Sequence, residues 1–109
     1  MPGALGPVFA ALADGRRRYV LEAIARRGSV TATELAAELP VSRQAVAKHL
    51  TALREAGLVR ASRSGRESRY ALTPEPMGEA ARWLEEVGET WDTRLRSLDA
   101  HLANRPEAE

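Results

Sequence analysis

From Ser42 to Glu55 the residue types able to read or grip a polyanion recur along one side of a helical repeat. Val46, Leu50 and Leu53 stand three and four apart and define an apolar face. The other side presents Arg43, Gln44, Ala47, Lys48, Thr51 and Arg54. Arg43 can donate two bonds to guanine, and Gln44 can pair with adenine in bidentate fashion. With Ala47 and Thr51 they form the candidate base-reading set. Lys48 and Arg54 suit phosphates, and Ser42 can both cap the helix and donate to a phosphate.

A second basic group follows. Arg60, Arg63, Arg66 and Arg69 share residues 60–69 with one acid, Glu67. A short two-stranded ribbon with arginines near its tip can follow the duplex backbone or enter the minor groove, whose narrow width attracts arginine. Arg63, Arg66 and Arg69 are therefore candidate backbone contacts. Residues 43–69 hold 7 basic and 2 acidic residues, a net +5, so binding to such a partner should weaken steeply with salt. The competing reading is a solvated hairpin edge whose charge discourages strand aggregation. The basic helix next to it weighs against that reading.

These side chains need elements to position them. The pattern predicts a first helix over 5–13, with Val8, Phe9 and Leu12 on one side. Asp14 can cap a second helix whose apolar residues are Tyr19, Val20, Ala23 and Ile24, and Gly28 ends it. Thr31 and Glu34 form a capping box for a short helix through Leu35 and Leu39, which must stop before Pro40. Ser42 caps the next helix and Gly57 closes it. Leu39-Pro40-Val41 is then a three-residue turn, the spacing of a helix-turn-helix, whose second helix lies in the major groove. Residues 58–63 and 67–72 read as strands joined around Ser64-Gly65-Arg66. Thr73-Pro74 starts a last helix to about residue 102, roughly 43 Å long, which Gly88 can soften. The polar tail from Ala103 on is expected to fray.

The predicted fold is mainly α with a small β-hairpin: a winged helix-turn-helix of four helices, a hairpin and a long helix, acting as a dimer. It forms one domain over 1–109, with reading head and wing at about 5–73 and a dimerisation helix at about 74–102. The 109 residues, 44% hydrophobic and 28% charged, suffice for one domain with its own core. With no cysteine, disulfides, thiolate metal sites and cysteine nucleophiles are excluded. No apolar run approaches about 18 residues, so no membrane span is expected. The N-terminus lacks the basic and apolar regions of a secretory signal, and the expected compartment is the cytoplasm. The net charge of +1 hides a division: residues 1–72 carry +6 and residues 73–109 carry −5. A basic body with an acidic end suggests a polyanion partner for the body.

The last helix carries Leu84, Val87, Trp91, Leu95, Leu98 and Leu102 at three- and four-residue spacings, with Trp83 beside them. Such a stripe needs a surface to cover it. Part of it should pack on the first helix and part on a second protomer, which places Val8, Phe9, Leu84, Val87, Trp91, Leu95 and Leu98 at a dimer interface. A two-fold dimer would set two reading helices about 34–36 Å apart, matching a palindromic operator. The alternative use of the two tryptophans is to line a small-molecule pocket.

Two stretches resemble one family. Residues 8–18, Val-Phe-Ala-Ala-Leu-Ala-Asp-Gly-Arg-Arg-Arg, resemble the opening signature of ArsR-type winged-helix repressors. So do Val41-Ser42-Arg43-Gln44-Ala45-Val46-Ala47-Lys48-His49-Leu50 and Leu53-Arg54-Glu55-Ala56-Gly57-Leu58-Val59. The resemblance covers residues 5–102. It implies a dimeric bacterial transcriptional regulator, usually a repressor, with a recognition helix and a wing. Gly15 stands where the family often has proline. Ala47 stands where it often has serine, which removes one polar contact to DNA. The resemblance also implies release from DNA by a metal held on cysteines in the helix at 34–39. That stretch has none here, so no metal and no cofactor is expected. Asp99 and His101 resemble half of a second family site on the last helix, without a further histidine to complete it. A solvated helix surface accounts for them, and His49 is read as a packing or phosphate-facing residue. The expected partners are double-stranded DNA and a second copy of the chain, with the effector unknown.

Two other function classes compete. A winged-helix module could serve protein association, with the basic face incidental. An enzyme is disfavoured: there is no GxSxG, HExxH or P-loop pattern, and His49 and His101 are the only histidines.

Overall fold

The computed structural model describes residues 3–103. Helix α1 spans Leu5–Leu12 and α2 spans Gly15–Arg27. The Asp14 carboxylate between them accepts from the backbone N–H groups of Arg16 and Arg17 at 2.9 and 3.3 Å, which satisfies two of the donors a helix start leaves open. Gly28 ends α2 at φ 81°, donating its N–H to the Ile24 carbonyl, a backbone region that side chains resist. Strand β1 is the pair Val30–Thr31, and α3 is Ala32–Glu38. The capping box of α3 forms in full: Glu34 N–H donates to Thr31 Oγ1 at 3.1 Å, and Thr31 N–H to Glu34 Oε1 at 2.8 Å. Helix α4 spans Arg43–Glu55, its Ser42 cap accepting from Ala45 N–H at 3.1 Å.

Strands β2, Val59–Ser64, and β3, Glu67–Leu72, pair antiparallel from Val59 opposite Leu72 to Ser64 opposite Glu67. Gly65 takes φ 65° in the turn that joins them. β3 is the central strand, because β1 pairs along its other edge with Val30 opposite Tyr70 and Thr31 opposite Arg69. The two residues of β1 are too few to show a period, so the sequence pattern missed this third strand. Helix α5, Pro74–Ala103, runs without a break through Gly88. The predicted fraying beyond residue 103 lies outside the described residues.

One core joins the helices to the sheet. Leu5 and Val8 of α1, Ile24 of α2, Leu35 of α3, Val46, Leu50 and Leu53 of α4, and Leu58 are each at most 1% exposed. Each such aliphatic side chain contributes about 1.5–3 kcal/mol over its exposed state. Two expectations need correction here. Tyr19 is 67% exposed, and Leu21 is buried in its place. The buried face of α2 centres on Val20 and Ile24, and residue 19 lies about 120° round the helix from that centre. Val8 lies in its own protomer's core, at 1% exposure, so it cannot touch a partner.

Candidate nucleic-acid interface

Helix α4 is turned so that Val46, Leu50 and Leu53 are sealed in the core. Ser42, Arg43, Gln44, Ala47, Lys48, Thr51 and Arg54 are all exposed. Burial of one face thus orients the other, and the short α3, anchored by Leu35, braces α4 from behind. The Ser42 hydroxyl oxygen serves as the cap and its proton stays free to donate. The Thr51 hydroxyl is engaged within the helix: its Oγ1 donates to the Ala47 carbonyl at 3.0 Å. What it offers outward is a methyl group and an acceptor.

An open groove of about 590 Å³ flanks this face, lined by Asp14 and Arg17 together with Gln44, Ala47, Lys48, His49 and Thr51. The start of α2 therefore borders α4, a proximity with no counterpart in sequence spacing. The Asp14 carboxyl is held below its ordinary range, first by the Arg17 backbone N–H and then by that of Arg16. His49 is half-buried on the inner side of α4, and among the described residues its Nδ1 has no hydrogen-bond partner.

In the hairpin, Arg63 and Arg66 are exposed beside the turn. Arg69, a candidate contact to the DNA backbone, is engaged within the protomer. Its Nε donates to Ser29 Oγ at 2.9 Å, and its Nη2 to the Ser29 carbonyl at 3.1 Å and to Glu34 Oε1 at 3.2 Å. Sequence shows the charge of Arg69 but not that the β1–β3 pairing carries it to Ser29 and Glu34, 40 and 35 residues away. Glu34 is held below its ordinary range chiefly by the Thr31 backbone N–H, with Arg69 and Arg27 adding to it. Glu38 is lowered by the Arg27 and Arg26 guanidinium groups, at 2.9 and 3.0 Å.

The donor set of α3 does not fit a thiolate-held metal. Its two acids are committed to arginines, and residues 34–39 hold no sulfur ligand. Asp99 and His101 are exposed on α5. Among the described residues no group of three His, Cys, Asp or Glu is placed to hold a metal ion.

On α5 only Ala80 is buried, and every residue from Leu84 to Ala103 is exposed. Leu84, Val87, Trp91, Leu95, Leu98 and Leu102 form a continuous apolar stripe, each 42–59% exposed. Trp83 is turned inward onto Phe9 of α1, with ring centroids 5.4 Å apart and planes tilted by 55°. Phe9 is half-buried, and that ring pair fixes α1 to α5 within one protomer.

A family of helix-turn-helix domains matches residues 12–61. The HTH-type transcriptional regulator YuzN of Bacillus subtilis is 35% identical over 92 residues, covering 78% of this chain and all of that protein. An ArsR-like transcriptional regulator from Rhodococcus sp. RHA1 superposes with a TM-score of 0.77 at 41% identity, over 95% of each chain. The crystal structure of another ArsR family transcriptional regulator gives 0.72 at 35% identity, over 84% of this chain and 94% of that one. This chain belongs to the ArsR family of winged helix-turn-helix transcriptional regulators. It is a DNA-binding regulator, not an enzyme. No helix among the described residues is long and apolar enough to cross a membrane.

Proposed function

We propose that this chain acts as a homodimeric repressor on a palindromic operator. Residues 5–73 serve as reading head and wing, and α5 serves as the dimerisation helix. The observation that carries this reading is the division of α4 into a sealed apolar face and an exposed face of Arg43, Gln44, Ala47, Lys48, Thr51 and Arg54. In the major groove, Arg43 and Gln44 reach base edges from the first turn, with Ala47 and Thr51 making apolar contact further in. Ser42, Lys48 and Arg54 hold phosphates, and the wing tip sets Arg63 and Arg66 on the adjoining backbone or minor groove.

The apolar stripe of α5 supports the dimer. Six large side chains left about half exposed on one helix are more than scattered surface residues explain, and a two-fold copy of the same stripe covers them. Phe9, half-buried beside Trp83, borders that surface. An arsenical resistance operon repressor of Escherichia coli, 26% identical over 98 residues, supports the sense of regulation as repression.

The test is binding to the duplex upstream of the chain's own gene across a salt series. Salt-dependent binding that is lost in the Arg43→Ala, Gln44→Ala double variant supports the reading. Absence of duplex binding even at low salt would leave a protein-association module as the better description.

A further inference from the structure

The geometry points to Arg69 as a positioning residue that fixes the angle of the wing against the helix-turn-helix. It acts through Ser29 and the Glu34 capping carboxylate, without touching DNA. The inference rests on the proposed placement of the wing on the duplex. At its base the hairpin is held by the core, with Val59 buried and Tyr70 and Leu72 packed against it; nearer the tip it meets β1 through two residue pairs. Residues 67 and 69 share one face of β3, because side chains alternate along a strand. Both reach the helix-turn-helix: Glu67 Oε1 accepts from Thr33 Oγ1 at 2.8 Å, and Arg69 meets Glu34 at 3.2 Å.

The chemistry of the tie is specific to arginine. A planar fork lets Nε and Nη2 address Ser29 and Glu34 at once, and a lysine ammonium carries the charge without that fork. Glu34 Oε1 also accepts the Thr31 N–H, so the same carboxylate oxygen joins the wing to the N-cap of α3. A tilt of the wing would have to break these bonds. Arg63 and Arg66, beyond the tie and exposed, are carried by it to a set distance from α4.

The experiment compares Arg69→Ala, Arg69→Lys, Glu34→Gln, Arg66→Ala and the Arg69→Lys, Glu34→Gln pair in full-length protein. Binding to the upstream duplex is measured across salt, and amide exchange is measured without DNA. Glu34→Gln keeps the capping box, since glutamine can fill that position. Arg69→Lys is expected to weaken duplex binding by roughly fivefold, as loss of a partly exposed charged tie allows. Its salt slope stays that of wild type, and amides of residues 59–72 exchange faster while those of α2 and α4 do not. Glu34→Gln follows in the same direction, and the pair is no weaker than the worse single variant. Arg66→Ala instead lowers the salt slope by about one. Two results overturn the inference. One is Arg69→Lys matching wild type in affinity while Arg69→Ala loses about one unit of slope, the behaviour of a phosphate contact. The other is unchanged hairpin exchange in Arg69→Lys. If Arg66→Ala binds as wild type, the placement of the wing on DNA fails separately, and the exchange result still decides the tie.

Discussion

Arg43 and Gln44 stand in the first turn of α4, where a helix entering the major groove brings side chains nearest to base edges. Replacing Arg43 by alanine should cost about 1–3 kcal/mol of specific binding if it reads guanine, and should relax preference at one position of each half-site. Competition between the operator and single-base variants measures this, and uniform loss across all duplexes would assign Arg43 to phosphate. Acid should act through carboxylates that the fold holds ionised. Asp14, Glu34 and Glu38 all titrate below their ordinary values. Each therefore contributes stability that is fully present above the unfolded-state value and lost as pH falls through the lower folded-state value. The thermal midpoint should hold from neutral pH to about pH 5 and fall below about pH 4.5. The fall should be shallower in the Glu34→Gln, Glu38→Gln variant. A midpoint unchanged down to pH 3, or an equally steep fall in that variant, would contradict the assignment.

The elements are set by short-range chemistry at their ends. Gly28 closes α2 at φ 81°, with nothing within 4 Å of where a Cβ would sit. Gly28→Ala should therefore cost about 1–2 kcal/mol through backbone strain alone, visible as a lower midpoint in chemical denaturation. No change would mean that the end of α2 relaxes freely. Signals of this kind made most of the fold legible. The Asp14 and Ser42 caps, the Thr31–Glu34 box, the Pro40 stop and the Gly65 turn each act within a few residues, so sequence carries them whole. What sequence hid was placement across the chain. β1 is two residues long and is defined by its partner Tyr70–Arg69. Arg69 looks like any wing arginine until that pairing sets it beside Ser29 and Glu34. Val8 and Tyr19 carry the right character for their helices, yet the direction each faces depends on how α1 and α2 pack. The exposed face of α4 was legible because Val46, Leu50 and Leu53 mark its opposite side.

In the whole molecule, charge and apolar surface divide between two regions. The basic side chains cluster on α4 and the hairpin, and the apolar stripe runs along α5 in the acidic part of the chain. In the proposed dimer the acidic α5 stays clear of phosphates, while its stripe joins two reading heads. Trp91 is 59% exposed in the single protomer, so Trp91→Asp should yield a folded monomer with undiminished helix content. Sedimentation with circular dichroism measures this, and a dimer that survives the change would refute the stripe as the interface. The central claim is that two α4 helices, held by α5, read a two-fold site together. Selection of bound duplexes from random DNA by the purified protein tests it most directly, repeated with zinc and with chelator. The enriched site should be an inverted repeat whose half-sites lie about 10–10.5 base pairs apart, centre to centre, or a whole number of helical turns, unchanged by either addition. An unrepeated asymmetric site, or no enrichment of any sequence, would contradict it.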